Sequence, residues 1–102
     1  MNNKFLQFLG MVKRSGNLLE GYNRCEEVMS KKKIYLFIFS TEVSPKTKDK
    51  FVKYCKEQNI PYVDCFSKNE LGFILGRTEI NVLGVVDGNM AKKLLSLCDD
   101  IK

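Results

Sequence analysis

The order of apolar segments predicts an α/β fold, with a largely parallel or mixed sheet covered by helices on both faces. Three observations carry this. Stretches with helical spacing alternate with short apolar runs in the order α, β, α, β, α, β, α, β, α. Ile34-Tyr-Leu-Phe-Ile-Phe39 is apolar without alternation, the mark of a central strand covered on both sides. Between Cys55 and Gly72 a helix end, a strand and a capped helix start follow one another with almost no loop.

Each element has its own local cause. Residues 3–13 place Phe5, Leu6, Phe8, Leu9 and Val12 on one side of a helix that Ser15-Gly16 ends. Asn17 to Gly21 suits a short strand and turn. Residues 22–31 form a second helix with Cys25, Val28 and Met29 inward. Ser44-Pro45 starts a third, with serine as the cap and proline in the first turn. It buries Phe51, Val52 and Cys55, exposes Lys46, Lys50, Lys53 and Lys56, and closes at Asn59. Ile60 to Phe66 reads as a strand with Pro61 near its start, where a missing N–H is tolerated. Ser67 and Glu70 form a capping box for a helix ending near Gly76. Ile80 to Val86 is a buried strand whose Gly84 suggests a close backbone approach. Asp87-Gly88 leads into a last helix with Met90, Leu94, Leu95 and Cys98 inward. One core is expected, from Phe37, Phe39, Val63, Leu71, Ile74, Val82 and Val85.

The chain of 102 residues is expected to be one domain, residues 1–102. Hydrophobic residues make up 44%, a globular composition, yet no run reaches the ~20 apolar residues a membrane span needs. The start lacks a signal peptide's unbroken apolar stretch, so a cytoplasmic location is expected and no membrane partner. The net charge of +5 suits a polyanionic partner and suits plain solubility equally. Cys25, Cys55, Cys65 and Cys98 contain no Cys-x-x-Cys pair, and there is no histidine, so reduced thiols and no metal or cofactor are expected. Cys55 and Cys65 are expected at or beside buried positions. No nucleophile has a base partner, no phosphate-binding glycine loop is present, and Asp87, Asp99 and Asp100 are scattered, so no enzyme activity is expected.

Asn59-Ile-Pro-Tyr-Val, Ser67-Lys-Asn-Glu-Leu-Gly and Gly76 together resemble the hallmark of the kink-turn RNA-binding ribosomal proteins, the archaeal "L-seven-Ae" type and its eukaryotic "L-thirty-e" relatives. The opening Phe5-Leu-Gln-Phe-Leu-Gly-Met-Val-Lys-Arg-Ser-Gly-Asn-Leu and the closing Val85-Val-Asp-Gly-Asn-Met-Ala-Lys-Lys-Leu-Leu are similar to the bacterial YlxQ-type members. The resemblance implies an α/β/α sandwich around a four-stranded mixed sheet. It implies binding of structured RNA, ribosomal or another kink-turn RNA, through two neighbouring loops. The first falls on Gly21, Tyr22, Asn23 and Arg24, where Gly21 and Asn23 match the family. Arg24 stands where the family has glutamate, and Glu27 where it has lysine. The second falls on Gly76 to Asn81, so that Arg77, Thr78, Ile80 and Asn81 are expected at the RNA.

The chemistry suits such a target. An amide such as Asn23 both donates and accepts, as base edges require. A helix N-terminus offers free N–H groups and partial positive charge to phosphate. Arg24 can fork onto guanine O6 and N7 but cannot accept, whereas Glu27 repels phosphate. The plainer readings are an Asn23 helix cap, an Arg24–Glu27 pair at i, i+3, and solvated lysines along the third helix and at Lys31-Lys32-Lys33. Lys13, Arg14, Arg24, Lys68 and Arg77 are candidates to ring the loop end, with Arg24 and Arg77 the leading pair. The expectation is a monomeric, non-enzymatic RNA-binding protein tied to the ribosome or translation. The alternative is a protein-interaction module of a translation assembly that has lost kink-turn recognition.

Overall fold

The structure is a computed structural model and describes residues 3–99, so Met1, Asn2, Asp100, Ile101 and Lys102 lie outside it. The elements run α1 (Lys4–Arg14), β1 (Leu18–Glu20), α2 (Tyr22–Met29), β2 (Leu36–Ser40), α3 (Pro45–Gln58), β3 (Tyr62–Phe66), α4 (Lys68–Ile74), β4 (Val82–Val85) and α5 (Gly88–Asp99). Order and type match the expectation throughout. Strands and the fourth helix are shorter than the apolar runs that announced them, because apolar residues such as Ile34, Ile60 and Ile80 pack just outside the ladders.

The four strands lie in the order β1-β4-β2-β3. β4 runs antiparallel to β1 and β2, and β3 runs parallel to β2, giving a mixed sheet. Every residue of β2 and β4 is buried, as two-sided cover requires. β3 is an edge strand with mostly exposed side chains, and Pro61 sits just before it, where no ladder donor is lost. The close neighbours at Gly84 are side chains, those of Ile34, Cys25 and Leu19, rather than backbone.

Helix ends follow the local signals. The Ser44 hydroxyl accepts from the Thr47 N–H at 3.2 Å, with Pro45 opening α3. Asn59 ends α3 in the left-handed conformation, with φ 57°. The Ser67–Glu70 box is complete: Glu70 N–H donates to the Ser67 hydroxyl at 3.1 Å, and Ser67 N–H donates to the Glu70 carboxylate at 2.9 Å.

The expected single core is two, because the sheet divides it. Successive residues of a strand face opposite sides. Leu36, Ile38, Leu83 and Val85 pack under α1, α4 and α5 with Phe5, Leu9, Leu71 and Leu94. Phe37, Phe39 and Val82 pack under α2 and α3 with Cys25, Val28, Phe51 and Cys55. Val63 and Ile74 are only half-buried, packed against the first cluster rather than within it. Full burial of each large apolar side chain contributes about 1.5–3 kcal/mol. Cys65 departs from expectation: on the edge strand it is exposed, with its Sγ 3.4 Å from that of the buried Cys98. Among the described residues no helix is long and apolar enough to cross a membrane.

Candidate nucleic-acid interface

Antiparallel pairing of β1 with β4 brings the two expected loops together. Glu20, the last residue of β1, sits opposite Leu83, so the exit from β1 lies beside the entry to β4. Gly21 N–H then donates to the Val82 carbonyl at 2.9 Å. Arg77 reaches back across the junction, its Nε donating to Glu20 Oε1 at 2.6 Å. The loops are therefore tied by backbone and by side chain at one end of the sheet.

The first loop is a single residue. Gly21 has φ 98°, a conformation that disfavours any Cβ, and it is the N-cap of α2 with no side-chain cap bond. The helix therefore starts with its first-turn N–H groups uncapped by any side chain. Tyr22, Asn23 and Arg24 form this turn and all are exposed. Asn23 occupies the second helical position, so it is not the cap. Arg24 lies along its own helix and donates to Glu27 at 2.8 Å, the pairing its i, i+3 spacing allows. Tyr22 stands edge-on to Phe51, ring centroids 5.2 Å apart, and its hydroxyl accepts from Lys50 at 2.7 Å.

The second loop is packed down. Gly72, inside α4, is its seat: a Cβ there would come 2.6 Å from the Cα and 2.8 Å from the N of Glu79. Arg77 N–H donates to the Gly72 carbonyl at 2.8 Å, and Ile80 N–H to the Lys68 carbonyl at 3.1 Å. Ile80 is only 6% exposed and belongs to the core beneath α1, α4 and α5. Asn81 is half-buried, and its Oδ1 accepts from the Ser40 hydroxyl at 2.5 Å. Arg77 and Thr78 are exposed. Gly21, Tyr22 and Asn81 share a shallow cavity of about 360 Å³ with Ser44 and Thr47. Arg77 and Thr78 instead line a groove of about 720 Å³ between α1 and α4.

Carboxylates answer the cations of this end. Glu20, its side chain largely covered, holds Arg77 and also Lys13 at 3.5 Å. Lys13 donates as well to the Leu75 carbonyl, tying α1 to the end of α4. Lys68 pairs with Glu79 at 3.6 Å, and Glu42 accepts from the Lys68 N–H at 2.8 Å. Lys50 pairs with Glu26, whose hydrogen bond, ahead of that with Tyr22, raises the lysine pKa. Arg24 and Arg77 thus turn to separate carboxylates and do not form a bare cationic pair. Burial pushes the Cys25 thiol up to about 12 and the Cys55 thiol up to about 11, so both stay protonated beneath α2 and α3.

Sequence reasoning gave Glu20 and Gly72 no structural role at these loops, although Gly72 stands in the run that carries the family resemblance. A glycine inside a helix costs about 1 kcal/mol against alanine, and that cost was the available signal for Gly72. Glu20 gave none, because its partners lie far along the chain.

A small mixed sheet between two helical layers, with paired loops at one end, defines the class of ribosomal-protein-like α/β/α sandwiches. The model of the ribosomal protein L7Ae/L30e/S12e/Gadd45 family matches residues 3–95, and the chain belongs to that family. It is 25% identical over 96 residues to the RNA-binding protein YlxQ of Bacillus subtilis (strain 168), covering 94% of this chain and 96% of the relative. Among solved structures, a Bacillus halodurans protein of unknown function superposes with a TM-score of 0.90 at 30% identity, covering 96% of this chain and 99% of that one. The Giardia lamblia 15.5kD RNA binding protein shares the fold, with a TM-score of 0.77 at 18% identity over 100% of this chain and 93% of that one.

Proposed function

We propose that this protein binds structured, kinked RNA of the kink-turn kind, as a non-enzymatic, cytoplasmic monomer tied to the ribosome or translation. Gly21, Tyr22, Asn23 and Arg24 meet the RNA from one loop, and Arg77, Thr78 and Asn81 from the other. Ile80 acts from beneath, holding the second loop in place. One observation carries the reading. Asn23 is exposed, its side chain without a hydrogen-bond partner among the described residues, in the first turn of a helix whose N-cap supplies no side chain. A free amide beside uncapped N–H groups can read a base edge while the helix end holds the adjoining phosphate. Membership of the family, and likeness to a relative named as RNA-binding, support the same partner.

Filter binding of a kink-turn hairpin at several salt concentrations tests this. Wild type should bind with an affinity that falls as salt rises. Asn23→Ala should weaken binding by roughly 10- to 100-fold. No binding at low salt, or an Asn23→Ala protein equal to wild type, would overturn the reading.

A specific observation favours a second reading, a protein-interaction module. The Arg24–Glu27 pair, with the other matched charges around both loops, leaves this end less cationic than the net +5 suggests. Partners retained in a pull-down after ribonuclease treatment would support it.

A further inference from the structure

We propose that the groove between α1 and α4 takes an unpaired nucleobase of the bound RNA, stacked on Phe73. This rests on the RNA-binding reading above and extends the contact beyond the two loops. Phe73 lies in the last turn of α4 and is 85% exposed, although its neighbours Leu71, Gly72 and Leu75 are buried. An aromatic ring left in water forgoes the stabilisation of burial, and a large exposed apolar surface marks a place for a partner.

The surroundings of Phe73 fit a base. Leu6 and Ile74, both half-buried, give the groove an apolar floor, and its volume of about 720 Å³ falls within the ~300–1,000 Å³ common for ligand sites. Asn3, Gln7 and Asn69 also line it. Asn3 Oδ1 accepts from the Leu6 N–H at 3.1 Å, which leaves its NH2 group to donate. Asn69 Nδ2 donates to the Thr78 carbonyl at 3.5 Å, which leaves its Oδ1 to accept. A donor and an acceptor beside an aromatic face are what a base edge and a base plane together require. Glu70, the carboxylate of the groove, is committed to the capping box.

Continuity favours RNA over an apolar peptide or a second copy of the chain. Arg77 and Thr78 belong both to the second loop and to the groove, so a strand leaving that loop passes directly onto Phe73. Stacking on an aromatic side chain tolerates any base, so the site would lengthen the footprint without adding strict sequence choice.

The test compares a blunt kink-turn hairpin with the same hairpin carrying a short single-stranded oligoadenine tail at one end or the other. For the wild type, one of the two tails should tighten binding roughly 5- to 100-fold. Phe73→Ala should lose that gain while keeping its affinity for the blunt hairpin and its thermal midpoint, and Phe73→Trp should keep the gain. No gain from either tail, or a gain that survives in Phe73→Ala, overturns this proposal and leaves the kink-turn reading standing. Failure to bind either RNA overturns that reading and this proposal with it. Sedimentation closes the remaining case: self-association of wild type that Phe73→Ala abolishes would assign the groove to a second copy instead.

Discussion

The two loops at the shared end of the sheet are built in opposite ways. The first is one glycine, after which Tyr22, Asn23 and Arg24 stand exposed on an uncapped helix start. The second folds back onto Gly72, sinks Ile80 into the core and ties Asn81 to Ser40 and Arg77 to Glu20. In the first loop the polar groups of Tyr22 and Arg24 meet only surface side chains, Lys50 and Glu27, and the Asn23 amide has no partner among the described residues, whereas the second is tied across the fold by backbone and side chain. On the function proposed above, reading and bracing are thus divided: the first loop offers the Asn23 amide and the uncapped start of α2, and the second holds its own backbone against α4.

The bracing half can be broken most sharply at Gly72. An alanine there forces a methyl group to within 2.6 Å of backbone that has no rotamer by which to yield. Gly72→Ala should cost about 1–3 kcal/mol, the usual range for overpacking, read from a urea midpoint. RNA affinity should fall with it, because Arg77 and Glu79 are displaced together. A variant as stable as wild type would mean that the second loop is not seated as described.

The reading half predicts the reverse profile. The exposed Asn23 side chain has no hydrogen-bond partner among the described residues, so Asn23→Ala should leave stability within about 0.5 kcal/mol of wild type while weakening RNA binding by about 1–3 kcal/mol. Asn81→Ala should show both effects, since it leaves the Ser40 hydroxyl without its acceptor. If the two variants behaved alike, the division between the loops would collapse.

Beneath the first loop, Cys25 anchors α2 in the core, and it supplies a pH signature. Its folded pKa of about 12 lies above the ordinary 9.0, and that of Cys55 rises to about 11. The folded state therefore holds these protons where the unfolded chain has lost them. The stability involved is complete below pH 9 and declines as pH climbs toward the folded values. Each thiol should remove about 1.4 kcal/mol per pH unit over that interval. Urea midpoints at a series of pH values should trace the decline, and Cys25→Ala should flatten it. An unchanged slope in that variant would contradict the burial of Cys25.

What was legible in the sequence follows from the range of the forces. Helix caps act over three or four residues, so Ser44, Asn59 and the Ser67–Glu70 box announced themselves. Two-sided burial of β2 showed as an unbroken apolar run. The division of the core was hidden, because which face a strand residue takes depends on register. The exposure of Cys65 was hidden for a related reason, since edge position depends on strand order. At the loops, Gly21 and Asn23 were reached through the family resemblance, to which their residue types conform. The Glu20–Arg77 tie spans 57 residues and became apparent only with the fold. The exposure of Phe73 was hidden because which face of α4 stays uncovered depends on how that helix packs against α1.

The smallest expected effect concerns the charge pattern at the start of α2. Glu27 accepts from Arg24 at 2.8 Å and lies 4.0 Å from Lys31, so it neutralises the cations next to the first loop. All three side chains are exposed, and such pairs contribute only a few tenths of a kcal/mol. Glu27→Lys removes both pairs and sets like charges at i, i+3 and i, i+4, so stability should drop by about 0.5 kcal/mol. Binding should move the other way. Arg24 is released toward the ligand, and the added lysine can neutralise a phosphate, steepening the dependence of log affinity on log salt by about one unit. The same change made at Glu57, exposed on α3, raises the net charge equally and serves as the control. A steeper slope for Glu27→Lys alone places phosphate against the start of α2. Equal slopes for the two variants would mean that only overall charge had been measured, and the first loop would lose its claim to be the reading half.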